Sequence, residues 1–115
     1  MEFLQVYGFE VVLGKSVEFQ QWVDANEEAL KAAVPDGVAY VGTYAAIYST
    51  EKQAGSFFTV YRLTSYADLD RLAAALDSGD LGKLIGQSMP LIDFDNNAGW
   101  SRFLLKSITD ATIWD

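Results

Sequence analysis

Residues 38 to 63, VAYVGTYAAIYSTEKQAGSFFTVYRL, decide the fold class of this chain. Two runs rich in β-branched and aromatic residues, 38–49 and 56–63, flank the polar stretch Thr50 to Gly55. That pattern reads as a long β-hairpin. Gly42, inside the first run, marks a bulge or a close approach of backbone. If Tyr48 pairs with Phe57 and Tyr44 with Tyr61, one face collects Tyr40, Tyr44, Tyr48, Phe57, Thr59 and Tyr61. The other face then collects Val41, Ala45, Ile47, Phe58 and Val60, and Arg62 near its end. Small and aliphatic side chains suit close helix packing, so this second face is expected beneath helices and the tyrosines away from them. A slip of one residue would exchange the two faces.

Upstream, residues 2 to 12 (EFLQVYGFEVV) read as a first strand, with Gln5, Tyr7 and Phe9 on one side. Gly14 ends it, and Ser16 is placed to cap a helix whose first turn carries Glu18. Phe19, Trp22, Val23, Ala29, Leu30 and Ala33 recur at helical spacing between Val17 and Val34. Pro35, Asp36 and Gly37 stop that helix.

Downstream, Ser65 followed by Asp68 has the form of a capping box with Asp in place of Glu. Leu69, Leu72, Ala73 and Leu76 form the stripe of a second helix, and Asp80 starts a short extra one that stops near Pro90. A loop from Asp93 to Gly99 leads to a last strand, Ser101 to about Ile108, and a tail with Ile113 and Trp114. The order strand, helix, strand, strand, helix, strand is the ferredoxin-like βαββαβ unit, an α+β fold with an antiparallel sheet. At 115 residues it is read as a single domain over 1–115.

The composition removes whole classes of chemistry. There is no cysteine and no histidine, so thiolate nucleophiles, imidazole bases and nearly all transition-metal sites are excluded. Sixteen acidic against eight basic residues give a net charge of −8, which repels phosphate backbones and anionic membrane surfaces. Nucleic acid and membrane are therefore not expected partners, and no cofactor is expected. The N-terminus lacks a basic region followed by an apolar run, and no stretch approaches a membrane span, so a cytoplasmic location is the default.

Motif matches are weak. Asp93, Asp95 and Asn97 start like a calcium loop, but Ala98 and Leu104 stand where glycine and glutamate are required. An Asx-stabilised turn is the better reading, and loop solubility accounts for the two carboxylates. Gly79, Gly82 and Gly86 do not form a phosphate-binding loop. Trp22 reads as core, whereas Trp100, entering the last strand, could flank a cavity mouth. Arg62 and Lys106, basic residues inside strands, could hold an anionic group of a ligand, but strand-end exposure is the default reading.

The element order, the long hairpin, the extra helical turn at 80–89 and the length resemble the dimeric α+β barrel proteins. That group includes the antibiotic biosynthesis monooxygenase-like and NIPSNAP-like domains. The resemblance implies a homodimer whose two sheets face each other, with a cavity between them. Its members range from cofactor-independent oxygenases of phenols to simple ligand binders, so the fold does not fix the activity. Haem-using members need a histidine that this chain lacks.

The expectation is thus a homodimer that holds a small aromatic or apolar ligand among Gln5, Tyr7, Tyr40, Tyr44, Tyr61 and Trp100. Two alternatives stand beside it. One is a cofactor-independent monooxygenase acting on a phenolic substrate, for which Asn96, Asn97, Trp22 and Trp100 supply suitable residue types. The other is a purely structural dimerisation module.

Overall fold

A computed structural model describes residues 2–49, 55–95 and 100–109. Its elements run β1 (Phe3–Phe9), α1 (Ser16–Ala33), β2 (Val38–Ala45), β3 (Phe57–Leu63), α2 (Ala67–Ser78), α3 (Asp80–Gly86) and β4 (Ser101–Lys106). A single 3-10 turn, Met89–Leu91, follows α3. The four strands form one antiparallel sheet in the order β2-β3-β1-β4, the ferredoxin-like arrangement. The parts of the hairpin loop and of the Asp93–Gly99 loop at 50–54 and 96–99, with Asn96 and Asn97, lie outside the described residues. So do Ile113 and Trp114.

Local chemistry explains most boundaries. Glu18 in the first turn of α1 and Lys31 in its last complement the helix dipole, and both join i,i+3 ion pairs, Lys15–Glu18 and Glu28–Lys31. Ser16 lies within the helix and makes no capping hydrogen bond, so the expected cap is absent. The turn after α1 needs Gly37 at a φ of 82°, which side-chain-bearing residues rarely adopt. A Cβ there would also run into the carboxylate of Asp68. Asp68 is buried and accepts hydrogen bonds from the Ser65 and Thr64 amides (3.0 Å each), the Thr64 hydroxyl (2.8 Å) and Arg71. It performs the backward half of a capping box. The Thr64 hydroxyl above all, then the Thr64 amide, Arg71 and the Ser65 amide, hold its carboxyl down to about 2 against the pull of burial.

The structure reverses the expected sheet faces. Phe3, Gln5, Tyr7 and Phe9 of β1 stand opposite Leu63, Tyr61, Thr59 and Phe57 of β3, and this side meets the helices. Its core holds Phe3, Leu30, Val38, Tyr40, Tyr61, Leu63, Leu72 and Leu81. Leu4, Val6, Phe58, Val60, Phe103 and Leu105 occupy the side that no helix covers. Arg62, expected on the helix side, is on the open side too, where its Nε donates to Glu2 at 3.1 Å.

Two physical facts produce the reversal. First, Tyr40 pairs with Tyr61 but Gly42 pairs with Val60, so a bulge at Val41 puts Tyr40 and Tyr44 on opposite faces. Gly42 does mark a bulge, as its position inside a strand suggested. Second, the rings of Phe3, Tyr40 and Tyr61 pack directly with Leu30, Leu72 and Leu81 of the helices, so aromatic side chains serve as the helix-side core.

Candidate ligand cavity

The rings do not fill the space beneath the helices. A cavity of about 220 Å³ remains between the sheet and the helices of the single chain. The family resemblance implies a cavity between two facing sheets. Here it lies on the opposite side, because the tyrosine-bearing face is the helix-facing one.

Each wall follows from local structure. Alternation in β1 sends Tyr7 and Phe9 inward, and the pairing with β3 sets them beside Tyr61 and Phe57. Spacing of three on α1 presents Phe19 and Trp22 together, with rings stacked at 6.3 Å. Phe19 also meets Phe9 edge-on at 5.5 Å. Ile85, Ser88 and Met89 close the far side from α3 and the 3-10 turn. Phe94, Trp100 and Arg102 line the stretch leading into β4. Trp100 lies against Phe94 at 5.4 Å and donates its indole N–H to the Asp93 carbonyl at 3.3 Å. The Asp95 amide bonds the Asp93 carboxylate at 3.0 Å, which is the Asx turn expected there.

Three phenols share the sheet wall. Tyr61 sits between Tyr7 and Tyr40, ring centroids 6.0 and 5.8 Å away, both edge-on. The Tyr40 hydroxyl pairs with the Thr43 hydroxyl at 2.6 Å, and Thr43 meets Thr59 at 3.2 Å. Burial raises the pKa of all three phenols. For Tyr7 the Arg102 guanidinium, 5.5 Å from the ring centroid, opposes the rise. For Tyr61 the neighbouring Tyr40 and Tyr7 reinforce it. All three stay protonated at neutral pH, and none is a general base there.

Five buried side-chain atoms among the described residues have no hydrogen-bond partner: Gln5 Nε2, Trp22 Nε1, Tyr61 Oη, Ser101 Oγ and Lys106 Nζ. Trp22, Tyr61 and Ser101 belong to the cavity lining. Buried polar groups are nearly always satisfied, so three among the lining residues single the cavity out. No group of three or more metal-ligating side chains occurs among the described residues.

Of the residues expected to hold a ligand, Tyr7, Tyr40, Tyr61 and Trp100 line this cavity. Gln5 is buried beside it, opposite Tyr61. Tyr44 is not brought to the cavity: it lies half exposed on the open face, its ring folded over Gly42. Phe19, Phe94, Met89 and Arg102 were not expected at the site, and Trp22 was expected in the core, with a place at the site only under the monooxygenase alternative. A signal existed for Arg102, because Trp100 and Arg102 are two residues apart at the head of a strand.

No protein family and no curated protein matches the sequence. Solved structures do match the fold. A NIPSNAP-like domain protein from Burkholderia xenovorans superposes with a TM-score of 0.67 at 12% identity, over 96% of this chain and 89% of that one. A NIPSNAP family protein from Agrobacterium tumefaciens gives 0.66 at 12% identity, over 98% and 99%. A protein described as a putative antibiotic biosynthesis monooxygenase, from Bordetella bronchiseptica, gives 0.67 at 10% identity, over 93% and 97%. The chain has their ferredoxin-like fold, in agreement with the resemblance read from its element order.

Proposed function

We propose that this protein, a protomer with the fold of the dimeric α+β barrel group, binds a small, ring-bearing, largely apolar molecule in its helix-side cavity. One observation carries the reading: a cavity walled by aromatic rings in which the Trp22 indole, the Tyr61 phenol and the Ser101 hydroxyl have no partner. Apolar walls with a few convergent polar groups are the usual construction of a small-molecule site. Size limits the ligand. An engineered cavity of roughly 150 Å³ holds benzene, so about 220 Å³ suits one or two fused rings.

Homodimerisation through the open sheet face belongs to the same proposal. Phe103, Leu105 and Tyr44 are each about half exposed there, beside Val6, Phe58 and Val60. An apolar patch of that kind marks an interface more often than a free surface. A sheet paired face to face would bury it and leave each cavity on the outer, helical side of its own subunit.

The oxygenase alternative draws support from the fold it shares with the Bordetella protein. It meets two obstacles in this cavity. The phenols are too weakly acidic to remove a proton at neutral pH, and no carboxylate is among the described lining residues. A substrate would have to ionise by its own acidity.

The test is native mass spectrometry joined to a thermal-shift screen of one- and two-ring aromatics. A dimer whose melting temperature rises with such compounds, and not with alkanols of equal size, is the expected result. A monomer, or a melting temperature indifferent to every compound, would sink the respective half of the proposal.

A further inference from the structure

The unpartnered groups share a property that narrows the ligand. Every one of the five atoms without a partner can donate a hydrogen bond, and none belongs to a carbonyl or a carboxylate. Three of them, on Gln5, Tyr61 and Lys106, stand on the helix-facing side of the sheet, which therefore carries a surplus of donors.

Charge shows the same imbalance. Carboxylates outnumber cations two to one; Lys15, Arg62 and Arg71 each hold one, and Lys31 holds two. Among the described residues, Arg102, Lys106 and Lys83 pair with none. Lys83 stands exposed on α3. Arg102 and Lys106 stand four apart on β4 and face the helix side, opposite Tyr7 and Phe3. Between their rows lies Leu104, opposite Gln5, whose amide nitrogen is one of the orphaned donors. Arg102 lines the cavity, its guanidinium held over the Tyr7 ring. In so acidic a protein, a cavity-lining guanidinium left without a carboxylate, with Lys106 farther along the same strand face, leaves room for an anion from outside.

We infer that the ligand is an organic acid bound as its anion: one or two rings lodged among Phe19, Trp22 and Tyr61, and a carboxylate directed at Arg102. A guanidinium over an aromatic face still presents its edge N–H groups, which suit the two oxygens of a carboxylate. This rests on the cavity being the ligand site.

The experiment compares 2-naphthoate with 2-naphthamide, equal in shape and different in charge, by quenching of tryptophan fluorescence at low salt. It uses the wild-type protein and Arg102→Gln. The expected result is that naphthoate binds at least about tenfold more tightly than the amide, the gain of a charge-assisted hydrogen bond. Arg102→Gln should erase that preference by weakening naphthoate far more than the amide. Equal affinities for both compounds in the wild type would overturn the anion and leave the cavity reading standing. A substitution that weakens both compounds alike would also overturn it, since Arg102 would then act on structure and not on charge. Binding of neither compound would remove the site together with its specificity.

Discussion

Replacing Tyr61 by Phe should make the unliganded protein more stable, which is the reverse of what truncating a buried side chain usually does. Tyr61 is 1% exposed and its hydroxyl has no partner, while the rest of the ring packs between Tyr7 and Tyr40. Burying a hydroxyl without a hydrogen bond costs roughly 1–3 kcal/mol, and Phe keeps the ring while removing that cost. Taking the lower end, Tyr61→Phe gains about 1 kcal/mol, or a rise of roughly 4 °C in melting temperature for a domain of this size. Tyr40→Phe is the internal control. Its hydroxyl is bonded to Thr43 at 2.6 Å, and losing that bond should cost about 1 kcal/mol and lower the melting temperature comparably. Thermal and urea denaturation of the two variants read the difference directly. Opposite signs support the assignment of Tyr61 as an orphan. A Tyr61→Phe protein that loses as much stability as Tyr40→Phe would refute it, and with it part of the case for a ligand in that wall.

Three further outcomes follow from features on other elements. Asp68 titrates at about 2 when folded against an ordinary 3.8, so its stabilising effect is complete above pH 4 and disappears as the pH falls through 2. The melting-temperature deficit of Asp68→Asn should therefore be full at pH 6 and shrink steadily below pH 4; a deficit unchanged at pH 2.5 would contradict this. Gly37→Ala combines a φ of 82° with a Cβ driven into Asp68, and should cost more than the roughly 1 kcal/mol of strain expected at an open left-handed site. Gly14→Ala, with a φ of 84° and open space around it, supplies the comparison in the same urea titration. Phe103→Glu puts a charge on the open sheet face without touching the cavity, and native mass spectra should shift from dimer to monomer while aromatic ligands still bind.

Much of the architecture was legible because its signals are local. Helical spacing from Phe19 to Ala33, the stop at Pro35–Gly37, the backward reach of Asp68 and the break at Asp80 each act within a few residues. The sheet faces were not legible, although every strand was. Period-two alternation says which residues travel together and not which side the helices take. The bulge at Val41 then breaks the alternation midway, so Tyr40 and Tyr44 part company. Four of the six expected ligand contacts line the cavity because Tyr7, Tyr40 and Tyr61 stay in phase and Trp100 enters β4 beside Arg102. What escaped was the helical half of the wall. Phe19 and Trp22 look like any apolar stripe until the distance from helix to sheet is known. Arg102 escaped although its spacing of two from Trp100 was visible; that it has no carboxylate partner among the described residues shows only in three dimensions.

The bulge also bears on how β2 can change length. Val41 is a surplus residue: opposite it, β3 steps from Tyr61 to Val60 while β2 advances by two. Deleting Val41 would leave Tyr40 facing Tyr61, Gly42 facing Val60 and Tyr44 on the outer surface, with a regular ladder between them. Smoothing the strand without shortening it is the more damaging edit. A Gly42→Val replacement that favours flat pairing would slide the distal half by one place, swing Tyr44 toward the helices and pull Thr43 away from Tyr40. A relative with a one-residue gap here would therefore keep both surfaces, whereas one aligned without a gap but lacking the kink would have exchanged residues between them.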